Sequence, residues 1–187
     1  MKLIIVYPRY KLLVLTFMIE STVLIVALFL ARLFEIKLLP LTTNLFRDFL
    51  LGTFWASLPL ALFIFLLSKK ADSIPIIGSL RKMIITDMKA IFSKTKFIDL
   101  CLISILAGFA EELLFRGVIQ VKLGIIVASI IFGFLHFITP AYCIIAVIMG
   151  LYIGILCHLY QSILVPVQLH FIYDFGALVY LKYFVKT

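Results

Sequence analysis

Two adjacent carboxylates and an arginine, Glu111, Glu112 and Arg116, stand in a segment that is otherwise apolar, since Leu100 to Ala110 carries no charge and the chain turns apolar again beyond Gly117. A charge at bilayer depth costs a few kcal/mol at least and is seldom kept without a task. On a helix Glu112 and Arg116 are four apart and share a face, which suits an ion pair. Glu111 lies about 100° round the helix from Glu112. One carboxylate is thereby committed to structure and the other is available for chemistry.

The remaining ionisable groups of interest are few. His136 follows Phe132 by four residues, with Ser129 and Gly133 on the same side, so a neighbouring helix can come near the imidazole. His170 and Asp174 are also four apart and stack one above the other. Pro166, a turn before His170, is expected to free the Ser162 carbonyl and open the helix at the mouth of a site. His158 falls at a predicted span end beside Tyr160 and reads as interfacial. Polar groups in lipid must face a bundle interior and find one another, so convergence of these side chains is the economical arrangement.

One chemistry that suits them is hydrolysis by an activated water, with Glu111 as general base and the histidines holding the water and stabilising an oxyanion. Another is a zinc site, because two His and one Glu (His136, His170, Glu111) form a known ligand set. No His-Glu-x-x-His and no Gly-x-Ser-x-Gly motif is present. Taken alone, Glu112 and Arg116 are equally consistent with a structural pair, and His136 with an interhelical hydrogen bond.

The elements that must position these residues follow from composition. The 187 residues are 65% hydrophobic and only 14% charged, with a mean hydropathy of +1.24, against about 25% charged in soluble domains. The chain reads as an all-α, polytopic membrane helix bundle in one membrane domain, residues 1–187. Spans are expected near 12–33, 46–67, 97–120, 123–139, 141–159 and 162–184, about six transmembrane helices. The first resembles a signal sequence, but its apolar run is too long and lacks a clear cleavage site, so it reads as a retained span. Glu20 interrupts it, which calls for a proton, a partner or a place near the bundle interior. Between Leu80 and Phe92 the apolar residues recur at helical spacing, predicting an amphipathic helix on the cytoplasmic membrane surface within the basic loop 68–96. Gly150-x-x-x-Gly154 predicts close helix approach.

The net charge of +8 comes from residues between apolar runs. It points to topology and anionic lipid rather than nucleic acid. Lys2, Arg9 and Lys11, the seven basic residues of 68–96, and Lys182 and Lys186 fall on one side of an even-numbered bundle. The positive-inside rule puts that side, and both termini, in the cytoplasm of a cell-membrane protein. Cys101, Cys143 and Cys157 show no metal-type spacing and read as packing residues. End-to-end spans leave Glu111 nearer the outer side and His136 nearer the inner one, so broken or staggered helices are needed to join them.

Glu111-Glu112-x-x-x-Arg116, Phe132-x-x-x-His136 and His170-x-x-x-Asp174, in that order on successive apolar segments, resemble the CaaX-protease and bacteriocin-processing (CPBP, or Abi) intramembrane proteases. The resemblance covers about 95–180 and makes 97–187 a catalytic four-helix core behind two N-terminal spans, 1–67. It implies that Glu111 activates the attacking water with help from His136, and that His170 and the residue four later support the oxyanion. Glu112, Arg116 and Phe132 then have supporting roles. It admits both a zinc and a glutamate-type mechanism, of which the latter, with no required cofactor, is favoured here because no clear third ligand accompanies the two histidines, and it implies a protein or peptide substrate such as a prenylated CaaX tail or a bacteriocin leader. The family usually carries Asn where this chain has Asp174, and an ionised Asp cannot donate a hydrogen bond. That departure motivates the alternative of a non-catalytic binding or bacteriocin-immunity protein of the same fold, with an ion or proton transporter as a third reading.

Overall fold

The computed structural model describes residues 6–68 and 75–185. Lys2, Lys69, Lys70 and Lys186 of the charge argument lie outside the described residues. The elements are α1 (Arg9–Leu33), α2 (Leu45–Leu67), α3 (Pro75–Met83), a π-helical turn (Ile84–Met88), α4 (Lys89–Ile91), α5 (Phe97–Leu114), a second π-helical turn (Phe115–Ile119), α6 (Gln120–Leu135), α7 (Pro140–Tyr160) and α8 (Leu164–Tyr183). Helices α2 and α7 begin at side-chain caps. Asn44 Oδ1 accepts the Arg47 N–H at 3.0 Å, and the Thr139 hydroxyl accepts the Tyr142 N–H at 3.2 Å, just ahead of Pro140.

Five helical stretches are long and apolar enough to cross a membrane, and one of them, Phe97–Leu135, has 39 residues. A straight helix of that length would be about 58 Å long, almost twice a hydrocarbon core of ~30 Å. It folds back at Gly124, whose φ of 82° and ψ of 168° lie outside helical space. The predicted third and fourth spans are therefore the two arms of one hairpin. Phe115, nine residues before the fold, meets Phe132, eight after it, with ring centroids 5.0 Å apart. Glu111 and His136, thirteen before and twelve after, consequently lie at the same level. This resolves the mismatch that end-to-end spans imply.

That φ/ψ region is essentially glycine-only. Gly124→Ala is expected to destabilise the protein by about 1–3 kcal/mol, read as a lowered unfolding midpoint in detergent. No atom lies within 4 Å of a Cβ built there, so backbone strain alone would cause the loss. An unchanged midpoint would mean the hairpin does not depend on this residue.

The small residues act as expected. A Cβ on Gly150 would sit 3.0 Å from Ser129 Cα, one on Gly154 2.9 Å from Ile125, and one on Gly133 2.9 Å from the Cys143 carbonyl oxygen and against Val147, so α6 and α7 pack backbone to backbone. Pro166 does not break a helix: α8 starts at Leu164, so the proline occupies the first turn, where its missing N–H has no intrahelical partner to lose. The cysteines are free.

Arg9, Lys89 and Lys182 gather at one end. Arg9 on α1 pairs with Asp99 on α5 at 2.6 Å. Lys182 on α8 donates to the carbonyls of Phe92 and Ser93 at 2.9 Å each, and Lys89 donates to the Val185 carbonyl at 2.5 Å. The amphipathic segment is present at this end: Leu80, Met83 and Ile84 are buried against Leu67 and Leu181, while Lys82 stays exposed. At the other end, the Thr42 hydroxyl and Arg47 satisfy the fully buried Asp48.

Candidate active site

Helical period puts Glu112 and Arg116 on the inner face of α5 and the turn that follows it. Arg116 Nε lies 2.9 Å from Glu112 Oε2, with both side chains fully buried. The other Glu112 oxygen accepts from His170 Nδ1 at 2.8 Å. His170 Nε2 in turn faces Asp174 Oδ2 at 3.4 Å. A carboxylate behind a histidine fixes its ring and its tautomer. One charged chain, Arg116–Glu112–His170–Asp174, thus links both arms of the sequence pattern and aims one nitrogen of His170 forward.

His136 is oriented separately. Its Nδ1 donates to the Phe132 carbonyl at 2.9 Å, and its ring stacks on Phe132 at 4.2 Å and 29°. That hydrogen bond assigns the proton to Nδ1 and leaves the Nε2 lone pair free. Nε2 faces Glu111 Oε2 across 3.6 Å. Such a separation is too long for a direct hydrogen bond, and Glu111 Oε2 has no other partner. Phe132 also meets His170 edge-on at 6.3 Å and carries the Arg116 guanidinium 5.6 Å from its ring centre. It is the apolar hub on which both histidines and the arginine rest.

Glu111, His136, His170 and Asp174 all line one cavity of about 110 Å³, together with Phe132, Tyr142 and Tyr173. At ~30 Å³ per water molecule it has room for a few. Tyr142, Tyr173 and Asp174 also border a second, apolar chamber of about 170 Å³ that reaches Ile84, Met88 and Phe92 of the amphipathic segment. A larger and more open cavity, about 820 Å³, lies at the opposite end around Lys37, Gly124 and His158, and touches none of the four cavity-lining ionisable residues. We assign the chemistry to the smaller cavity because the unpartnered carboxylate faces into it.

The structure brings together every residue that the sequence singled out for chemistry and leaves His158 exposed in the last turn of α7. It adds Tyr142 and Tyr173, whose types do not distinguish them from interfacial tyrosines. Glu20, the carboxyl that interrupts the first span, is buried at 8% exposure. Among the described residues, no three His, Cys, Asp or Glu side chains are grouped to hold a metal ion.

Residues 93–176 match the family described as type II CAAX prenyl endopeptidase Rce1-like. Over 89 residues, 46% of the chain, the sequence is 35% identical to the uncharacterized protein YpbD of Bacillus subtilis strain 168. That alignment covers 47% of YpbD, so the chain spans about half the length of the relative it matches. No solved structure matches. The stretch 93–176 that is similar to this Rce1-like family holds all of the motif residues from Glu111 to Asp174.

Proposed function

We propose that this protein is an intramembrane endopeptidase that hydrolyses a peptide bond of a membrane-associated protein or peptide. The observation that carries the reading is the unpartnered Glu111 Oε2 held 3.6 Å from a free imidazole nitrogen at the wall of a water-sized cavity. A water placed against both atoms gives a proton to Glu111 as its oxygen attacks the scissile carbonyl. Glu111 then returns that proton to the departing amine. With a proton on each nitrogen, His170 donates through Nδ1 to Glu112 and presents Nε2–H to the oxyanion. Asp174 holds His170 from the other side, a role open to a carboxylate that cannot itself donate. Glu112, Arg116 and Phe132 keep the two imidazoles in place.

The glutamate-type mechanism is favoured over zinc because, among the described residues, no three donor side chains are grouped as a ligand set, and His170 Nδ1 is held by Glu112. The bilayer and a protein or peptide substrate are the partners in this reading. The basic end, with both termini, faces the cytoplasm of the cell membrane. The non-catalytic alternative rests on Asp174 alone.

The test is reconstitution in proteoliposomes with a panel of membrane-anchored reporter peptides, with products mapped by mass spectrometry. Cleavage is expected and should persist in excess phenanthroline. Activity lost to the chelator and restored by zinc would overturn the metal-free mechanism. No cleavage of any reporter above a Glu111→Gln blank would favour the non-catalytic reading.

A further inference from the structure

Tyr142 and Tyr173 share the cavity wall with Glu111, His136, His170 and Asp174, and both also border the apolar chamber beyond it. Their hydroxyls lie deep in the bundle. Among the described residues neither hydroxyl has a hydrogen-bond partner, and neither is closed off from the space around it. Each therefore opens on the chambers that its residue lines. A tyrosine hydroxyl inside a protein usually finds a partner, and these two are left free beside the candidate base.

Tyr142 is the better placed of the pair. It belongs to the turn from α6 to α7. His136 ends α6, Thr139 caps α7 by accepting the Tyr142 N–H at 3.2 Å, and the Cys143 N–H returns to the Thr139 carbonyl at 2.9 Å. One short turn thus sets both His136, which faces Glu111, and the phenol six residues on. On its far side Tyr142 packs against the cluster of Leu67, Leu80, Met83, Ile84 and Leu181. The Tyr173 ring instead turns edge-on to Phe63 of α2 at 6.3 Å.

Hydrolysis needs donors for the oxyanion, and the rest of the wall is short of them. Glu111 and Asp174 are carboxyls, and Phe132 is apolar. His136 commits its Nδ1 proton to the Phe132 carbonyl, and His170 Nδ1 is held by Glu112. His170 Nε2 remains, with Asp174 drawing on it at 3.4 Å. A carbonyl bound in a space of about 110 Å³ is near every group of its wall. The Tyr142 phenol is a neutral O–H donor in that wall with no other bond to make.

We propose that Tyr142 is a catalytic residue, the second donor to the oxyanion beside His170 Nε2–H. This rests on the endopeptidase reading. The phenol keeps its proton throughout. The water oxygen bonds to the scissile carbon as its proton passes to Glu111, the C–N bond breaks, and the amine takes that proton. Tyr142 O–H and His170 Nε2–H donate to the carbonyl oxygen while it carries the charge.

The test is initial rates on a cleaved reporter for wild type, E111Q, Y142F, D174N and Y142F/D174N, with an unfolding midpoint for each. Y142F removes one oxygen and keeps the ring. It is expected to lower kcat by about 10²–10³-fold, the usual worth of one oxyanion donor, with KM within about twofold and the midpoint unchanged. An amide at position 174 accepts from His170 Nε2–H through its oxygen and offers an N–H to the oxyanion. D174N in the Y142F background is therefore expected to restore kcat by about tenfold or more, a recovery that a packing role for Tyr142 would not produce. Y142F at the wild-type rate, a loss confined to KM or to the midpoint, or no recovery in the double variant would overturn the assignment. A dead E111Q beside a fully active Y142F would remove this assignment alone. If E111Q cleaved as well as wild type, or wild type cleaved nothing, the endopeptidase reading would fall and the role of Tyr142 with it.

Discussion

Glu111→Gln is expected to lower kcat by about 10²–10⁴-fold, the usual worth of a positioned general base, with KM little changed. The substitution keeps the side chain's shape and removes only its capacity to take a proton, an interaction made in the transition state alone. At about 1.4 kcal/mol per decade, the loss corresponds to roughly 3–5 kcal/mol of transition-state stabilisation. Stability should not fall with it. Glu111 Oε2 has no partner to lose, and an amide in its place lifts a buried, unpaired charge. The check is initial rates on a cleaved reporter beside unfolding midpoints. Full activity in the variant would show that the carboxylate is not the base.

Arg116→Met is expected to do the opposite, acting first on the fold. Both partners of the Arg116–Glu112 pair are wholly buried at 2.9 Å. Removing one partner of such a pair strands the other charge and costs about 3–5 kcal/mol. His170 then loses the fixed carboxylate that orients it, so activity should fall as well. The double variant Arg116→Met/Glu112→Gln should recover much of the stability, since no charge is left stranded, but not the activity. A double-mutant cycle on denaturant unfolding would measure the coupling. Additive effects of the two substitutions would show that the pair is not an energetic unit.

The sequence makes the local part of this site legible and hides the long-range part. Glu112 with Arg116, and His170 with Asp174, are pairs whose geometry is set by helical period alone, so their partnership can be read directly from a spacing of four. The meeting of Glu111 with His136 cannot be read that way. It depends on Gly124 taking a backbone conformation that nothing in an apolar run announces, and span-by-span counting places the two residues apart. Pro166 misleads for a related reason. The rule that proline opens a helix holds in the interior, and only the observed start of α8 at Leu164 shows that this proline lies in the first turn. Glu20 is visible in the sequence as an intruder in an apolar helix, but its neighbours are fixed by an Arg9–Asp99 bond between residues 90 positions apart. No local pattern carries that register.

Beyond Gly124, α6 continues for only eleven residues before His136 ends it, roughly 16 Å of rise. The turn into α7 is therefore made about halfway along the neighbouring helices, not at a membrane face. Peptide groups at such a depth are tolerated only where protein or water covers them, and on the basic side Ile84 and Met88 of the amphipathic segment roof the chamber next to Tyr142 and Tyr173. Solvent reaching the catalytic groups from the basic end would have to pass this roof and not the full thickness of the bundle. The freshly released polar chain end would have the same short exit.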